Sequence, residues 1–351
     1  MPYQIRIEPS GHQFQCDADT HLLDAARAQG FALPYSCRSG VCGSCQARLV
    51  SGQVRYASAP PALRDGDTQA ILLCQAFAKT DLVISAREVP SVADMPRRIT
   101  AVKVIDKQQL ASDVMLLRLQ PPRGQALRSL AGQYLEIMLP EGKRRAFSIA
   151  NAPEYELDDH AIELHVRRVA GGGFTERVFT ELPIGSVLRI EAPLGTFVPR
   201  EDSDRPMLFM AGGTGFAPIK AIIEHFLALG SKRPMRFFWG ARTLADLYLD
   251  ALPKRWASEN PHFSYVPVLS EPDLSDQPIV SGPVHEAVLA HCPDLAQHDL
   301  YMSGPPGMID VARHAFSARG LPEDRMYYDS FEYAPEVIAA ILAARAGVKT
   351  R

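Results

Sequence analysis

Cys37-Arg38-Ser39-Gly40-Val41-Cys42-Gly43-Ser44-Cys45 packs three thiols into nine residues, and a fourth follows at Cys74. This C-x4-C-x2-C spacing with a distant fourth cysteine is the pattern by which thiolates hold a 2Fe-2S cluster. Four thiolates around two ferric ions and two sulfides are net negative, so the loop must offer backbone N–H donors and curve tightly. Gly40 and Gly43 permit positive φ and a close approach of backbone to sulfur, while Ser36, Ser39 and Ser44 are small potential donors. A structural zinc site is the alternative, but it is usually built from two separated ligand pairs with roughly two to four residues between members. Three ligands in one loop fit it less well.

Outward from the loop, residues 3–8 and 12–17 alternate like strands around the turn Pro9-Ser10-Gly11, which predicts a hairpin. Asp19 or Thr20 is placed to cap a helix whose apolar positions Leu22, Leu23, Ala25, Ala26 and Ala28 run up to Gly30. With Pro34-Tyr35-Ser36 before the first thiol and Leu72-Leu73-Cys74-Gln75 around the last, residues 1–95 resemble a plant-type 2Fe-2S ferredoxin domain. The resemblance implies a β-grasp fold with Cys37, Cys42, Cys45 and Cys74 as ligands, and a cluster potential near about −400 mV. Acidic and basic residues nearly balance over this region, so a strongly acidic docking surface is not expected.

The whole chain has 351 residues, enough for two or three domains with proper cores. A formal net charge of −3 argues against nucleic acid and against a strongly basic membrane-binding surface. Strand-like alternation begins at residue 3, no charged-then-apolar leader precedes it, and no run approaches the roughly 18 apolar residues of a membrane span. The expectation is a cytoplasmic protein without a membrane partner. Six cysteines are too few for a disulfide scaffold in so long a chain, and Cys16 and Cys292 read as small buried hydrophobes.

After a linker-like stretch through Met95-Pro96-Arg97-Arg98, segments near 99–105, 114–119, 133–139, 145–150, 161–169 and 186–192 alternate apolar and polar residues. Six such strands between Gly and Pro punctuation predict a small antiparallel β-barrel over residues 96–200. Within it, Arg145-Ala146-Phe147-Ser148 supplies a cation, an aromatic wall and a hydroxyl on alternating faces of a strand, the set a flavin needs for its pyrophosphate, its ring and N5. Gly171-Gly172-Gly173-Phe174-Thr175 follows as a glycine turn opening a short helix, able to present amides to a phosphate. An ordinary hairpin loop is the plainer reading of those glycines.

From residue 201 the pattern becomes strand, helix, strand. The apolar run Met207–Ala211 suits a buried parallel strand, Gly212-Gly213-Thr214-Gly215 follows at once, and Ile219, Ile222, Ile223, Phe226 and Leu229 recur at helical spacing up to Gly230. That order places backbone amides and a helix N-terminus against a pyrophosphate. Further strands are predicted at 235–240, 263–268, 299–302 and 325–328, giving a doubly wound α/β domain over 201–335, followed by an alanine-rich helical tail at 336–351.

Arg145-x-Phe147-Ser148, Gly212-Gly213-Thr214-Gly215-x-x-Pro218, Trp239-Gly240-Ala241-Arg242 and Ser303-Gly304-Pro305-Pro306-Gly307-Met308 together resemble the ferredoxin–NADP reductase superfamily. The resemblance implies FAD. Arg145 and Thr175 would contact its pyrophosphate beside Gly172 and Gly173, Phe147 would stand where relatives carry tyrosine, and Ser148 would lie by the ring. His165 and Arg167 would lie along the cofactor. Gly212, Gly213, Thr214, Gly215, Pro218, Arg242, Gly304, Pro305 and Met308 would hold the nicotinamide dinucleotide, with Ser303 where most relatives have cysteine. Asp329-Ser330-Phe331-Glu332 resembles the segment that covers the flavin, with Phe331 as ring cover and Asp329 or Glu332 as the nearby carboxylate.

Where NADPH-selective relatives commonly place an arginine, this chain reads Leu269-Ser270-Glu271-Pro272, and a carboxylate there would repel a 2′-phosphate. The expectation is NADH, with Lys232 and Arg233 as the residues able to contradict it. The order ferredoxin, flavin barrel, nicotinamide domain resembles the reductase components of benzoate dioxygenase and phenol hydroxylase. It implies electron flow from NADH through FAD and the 2Fe-2S cluster to a separate oxygenase protein. The reductase partner of a CDP-deoxyhexose dehydrase looks equally close, and a redox-sensing or electron-storing protein is the reading from a different class.

Overall fold

Tyr3–Glu8 (β1) alternates as expected, burying Ile5 and Ile7, and pairs antiparallel with Gln13–Cys16 (β2). The computed structural model describes residues 2–60, 62–63, 68–93, 95–155, 160–171, 173–271 and 279–331. These form two compact units, one running to Pro96 together with Gly195–Phe197, the other spanning Arg97–Leu194 and the described residues from Val198 onward. The predicted tail at 336–351 and Glu332 lie outside the described residues. Among the described residues no helix is long and apolar enough to cross a membrane.

In the first unit, Leu22–Ala28 (α1) presents Leu22, Leu23, Ala25 and Ala26 to the sheet. The helix starts past both expected caps. His21 occupies the N-cap position without a side-chain bond, and Gly30 ends the helix at φ +85° as the sequence suggested. Gln46–Ser51 (β3), Val54–Arg55 (β4), Ala70–Leu72 (β5), Phe77–Ala78 (β6), Leu82–Ser85 (β7) and the short helix Pro90–Ala93 (α2) complete it. The main sheet runs β2-β1-β7-β3-β5, with β1 and β7 parallel and the other pairs antiparallel. A mixed sheet grasping one helix is the β-grasp arrangement, and its core sits between α1 and that sheet.

In the second unit, six strands appear where six were expected: Arg98–Ala111 (β8), Val114–Gln120 (β9), Tyr134–Met138 (β10), Arg144–Ser148 (β11), Ile162–Arg167 (β12) and Val187–Leu194 (β13), with helix Phe174–Thr180 (α3) after β12. Their order is β11-β10-β13-β8-β9-β12, antiparallel throughout, and a bridge from Ile149 to Leu164 joins the two edges into a barrel. β8 is longer than the pattern predicted because two register shifts, at Val104/Asp106 and Gln109/Ala111, interrupt its alternation.

The remainder winds as Met207–Gly212 (β14), Phe216–Ala228 (α4), Met235–Ala241 (β15), Ala251–Glu259 (α5), Phe263–Leu269 (β16), Val280–Ser281 (β17), Val284–His291 (α6), Asp299–Gly304 (β18), Pro306–Ser317 (α7) and Met326–Ser330 (β19). All strands are parallel in the order β17-β16-β15-β14-β18-β19. Strand order therefore reverses between β14 and β18, and ligands of such sheets bind in the crevice at the carboxyl ends of the strands at that switch point. β17 was not foreseen, being two residues long and too short to carry a pattern.

Candidate functional site

The cysteine loop connects α1 to β3. Cys42, Cys45 and Cys74 are buried and Cys37 is half-buried; none forms a disulfide. The thiols form two pairs, Cys37 with Cys42 and Cys45 with Cys74, each sharing a hydrogen bond. That shared bond holds Cys37 below the usual thiol range, at about 5, and pushes Cys42 up; in the other pair Cys74 is lowered and Cys45 raised for the same reason. Among the described residues no three His, Cys, Asp or Glu side chains converge on a single metal position. Two thiol pairs side by side are instead what a binuclear cluster requires.

The loop's amides aim at sulfur: Ser39 and Cys42 N–H donate to Cys37 Sγ at 3.4 Å each, and Ser44 N–H donates to Cys42 Sγ at 3.5 Å. Arg38, Gly40 and Gly43 take positive φ of 62°, 82° and 76° to make this possible. A Cβ on Gly40 would stand 2.9 Å from Gln75 Cγ, so glycine is needed there for space as well. Gln75 in turn donates from Nε2 to Arg38 O at 2.9 Å, and Arg38 pairs with Asp24 at 2.8 Å, which offsets the strain of a left-handed arginine. The donor set and the cradle fit a 2Fe-2S cluster.

In the second unit the β14–α4 turn packs backbone against backbone. A Cβ on Gly215 would stand 2.1 Å from Ser303 O, and one on Gly212 2.6 Å from Met308 Sδ. Gly304, at φ +154°, would bring a Cβ 2.6 Å from Met308 Cε, so Gly212, Gly215, Gly304, Pro305 and Met308 form one cradle. Gly213 takes φ +54°, accepts from Trp239 Nε1 at 3.0 Å, and lies under Arg167, whose Nε and Nη2 are buried without a partner. Thr214 is half-buried in the turn and Pro218 is buried in the first coil of α4. A glycine turn, a helix N-terminus and unsatisfied guanidinium nitrogens fit a dinucleotide pyrophosphate.

Ser148, Ser303 and Phe331 are brought together. The Ser148 hydroxyl donates to Asp329 Oδ2 at 3.4 Å, Asp329 sits opposite Ser303 in the β18–β19 register, and Phe331 N–H donates to Gly304 O at 3.0 Å. Ser303 is fully buried and its Oγ has no partner; Ser330 Oγ beside it has none either. A buried hydroxyl left orphaned by the protein is expected to find its partner on a ligand. Ser303→Ala should then raise the thermal midpoint by roughly 2–4 °C, since removing an unsatisfied hydroxyl gains about 1 kcal/mol. In the flavin chemistry that the sequence implies, the same change should slow flavin reduction by the nicotinamide about fivefold, the scale of one lost neutral hydrogen bond of about 1 kcal/mol. Thermal scans beside stopped-flow absorbance check both effects, and a lower midpoint would refute the orphan reading.

Arg145 and Phe147 share one face of β11 and are half-buried, with the Phe147 ring 5.8 Å from Phe174 at the start of α3. Gly173, at φ +48°, precedes α3. Thr175 is buried with its Oγ1 accepting from Val169 N–H at 3.2 Å, so this hydroxyl braces the hairpin. Gly172 lies outside the described residues. At the far end of the crevice, Glu271 N–H donates to Arg242 O at 2.9 Å, so the backbones after β15 and β16 meet there; Glu271 is exposed, and Arg242 Nε stands 3.6 Å from Asp246 Oδ2.

His165 turns inward. Burial keeps its ring below the usual imidazole range despite the neighbouring carboxylate, so the neutral ring donates from Nε2 to Glu163 at 3.0 Å and accepts at Nδ1 from the Tyr248 hydroxyl at 2.9 Å. Both nitrogens are spent on protein partners. Glu163 also meets Lys220 at 3.3 Å, and Lys220 meets Glu224 at 3.0 Å, all of them buried. Burial pushes the Glu163 carboxyl up, but the His165 hydrogen bond and the Lys220 charge outweigh it and hold it at about 2; for Glu224 burial wins and the carboxyl is raised. Sequence reasoning did not single out Glu163, Lys220, Glu224 or Tyr248. The available signal was a Lys–Glu pair at i,i+4 on an otherwise apolar helix.

Residues 5–79 match the family described as 2Fe-2S iron-sulfur cluster binding domain, 101–198 the oxidoreductase FAD-binding domain, and 209–314 the oxidoreductase NAD-binding domain. The CDP-6-deoxy-L-threo-D-glycero-4-hexulose-3-dehydrase reductase of Yersinia pestis is 37% identical over 333 residues, 94% of this chain and 99% of its own. Reductase component 1 of terephthalate 1,2-dioxygenase from Comamonas is 34% identical over 338 residues, 95% of this chain and 99% of its own. Among solved structures, the Amycolatopsis cytochrome P450 reductase GcoB superposes with a TM-score of 0.72 at 30% identity, over 94% of this chain and 98% of that one.

Proposed function

This chain belongs to the oxidoreductases that fuse a 2Fe-2S ferredoxin domain to FAD-binding and NAD-binding domains, and from that premise we propose that it carries electrons from NADH to a separate oxygenase component. The observation that carries the reading is the meeting of Ser148 from the barrel with Asp329 and Ser303 from the nucleotide sheet, on the same chain as two pairs of thiols in a ferredoxin fold. The chemistry the bound groups supply is the splitting of a two-electron hydride equivalent into single electrons that a 2Fe-2S cluster accepts one at a time. The chain's own contribution is positional. The cradle of Gly212, Gly213 and Gly215 takes the pyrophosphate, Ser303 and Asp329 line the meeting point, and no side chain need move a proton in the hydride step.

Choice of NADH rests on Glu271. Lys232 and Arg233 stand elsewhere: Arg233 is locked by Asp299 at 2.8 Å and by the Arg200 and Arg205 carbonyls, and Lys232 precedes β15. In a parallel sheet that is the edge opposite the crevice where Glu271 follows β16. NADH should be preferred over NADPH by at least about tenfold in kcat/KM, the effect of roughly 1.4 kcal/mol of charge repulsion. Glu271→Arg should erase most of that preference. Steady-state rates with both nucleotides check it, and a native preference for NADPH would sink the claim.

A second reading, that the acceptor is a CDP-deoxyhexose dehydrase, is favoured by the 37% identity to the Yersinia pestis reductase. Purified protein with NADH should reduce ferricyanide and cytochrome c rapidly. Failure with both would end the reductase reading, and reconstitution with an oxygenase or a dehydrase component decides between acceptors.

A further inference from the structure

α4 is tied to the flavin barrel by charge. Its residues Lys220, Glu224 and His225 are each at most 7% exposed, on a helix whose other buried positions are apolar apart from these three. Lys220 Nζ donates to Ala150 O at 3.0 Å, two residues past Ser148, and stands 3.3 Å from Glu163 on β12, the strand that also carries Arg167. His225 bridges Glu154 at 2.8 Å, in the loop after β11, and Glu201 at 3.2 Å. The network then returns to the glycine turn. His165 stacks 6.3 Å from Phe216, Phe216 stacks 4.1 Å from Trp239, and Trp239 holds Gly213 O. Thus one continuous set of contacts links the strands bearing Ser148 and Arg167 to the turn that takes the nicotinamide pyrophosphate.

Buried ion pairs are weak stabilisers compared with apolar residues of the same volume, so stability alone does not account for these charges at a joint. They do impose fixed directions and distances, which apolar packing does not. We propose that Lys220, held between Glu163, Glu224 and the Ala150 carbonyl, is a positioning residue for hydride transfer that sets the nicotinamide turn against the flavin strands. This rests on the oxidoreductase reading above. A displacement of about 1 Å between reacting groups costs on the order of a hundredfold in rate, so a loosened joint is read in the hydride step before it is read in binding.

The test is the full-length holoprotein carrying Glu163→Gln/Lys220→Met/Glu224→Met, which removes the charges together, keeps the volume and leaves His165 an acceptor. The single Lys220→Met variant, which strands two carboxylates, is the companion. The triple variant should keep its FAD, its thermal midpoint within about 3 °C, and its NAD+ affinity by calorimetry within about threefold. Its flavin reduction by NADH should fall at least about tenfold, with the long-wavelength absorbance that NAD+ induces on the reduced flavin weakened. Flavin reduction within about twofold of native in a folded triple variant overturns the proposal. So does a matching loss of NAD+ affinity, which would make the residues binding determinants. A native protein that shows no NADH-driven flavin reduction at all would instead overturn the functional reading on which the proposal rests.

Discussion

Cys42→Ala should abolish NADH-dependent cytochrome c reduction, by roughly a hundredfold or more, while leaving ferricyanide reduction within about twofold of native. Cys42 is buried, is paired with Cys37, and receives the Ser44 amide, so alanine removes one of the four proposed ligands. The ligand set then no longer satisfies two irons, and iron content and the cluster's visible dichroism should fall with the cytochrome rate. The flavin and nicotinamide residues lie in the other compact unit, which folds around its own cores. Ferricyanide, which takes electrons directly from flavin, therefore reports that unit alone. Equal loss of both activities would refute the order in which electrons leave the protein through the cysteine loop.

What the amino-acid sequence disclosed follows from how local each requirement is. Cluster ligation and pyrophosphate binding demand particular residues at fixed short spacings, so Cys37 to Cys45 and Gly212 to Gly215 stood out as candidates one residue at a time. Barrel strands were legible by period two, except where register shifts in β8 broke it. Lys220 and Glu224 were not, because they fall off the apolar stripe of Ile219, Ile222, Ile223 and Phe226 and read as a solvated face; in the structure Lys220 meets the barrel's Glu163 and Ala150 and both side chains are buried. His165 was legible as a strand residue, but its hydrogen-bond partner Tyr248, some 83 positions away, was not. Asp19 and Thr20 had capping chemistry, yet the bridge between His21 and Phe77 delays the helix to Leu22.

Gly215→Ala should do more damage than any other single methyl group in the nucleotide sheet. The added carbon would stand 2.1 Å from Ser303 O, 2.5 Å from Ser303 C and 2.9 Å from Gly304 N, all of them backbone atoms of a central strand that cannot rotate away. Either β18 or the turn must shift, and forced overpacking of this kind costs about 1–3 kcal/mol. Since β18 is hydrogen-bonded on both sides, by β14 and β19, the turn is the partner that gives, and the Gly212–Gly215 amides lose their common focus. NAD+ affinity should fall by at least about tenfold and NADH-driven flavin reduction by about a hundredfold, the second loss being larger because misplacement adds to weaker binding. Gly307→Ala is the control for the methyl group itself. Gly307 belongs to the second glycine motif, yet a Cβ there meets nothing within 4 Å and the residue lies in the first turn of α7, so alanine should stabilise by about 0.5–1 kcal/mol. Calorimetric titration with NAD+ and thermal unfolding of both variants provide the readout. If Gly215→Ala binds NAD+ as tightly as the native protein, the close approach of the turn to Ser303 has no part in holding the nucleotide.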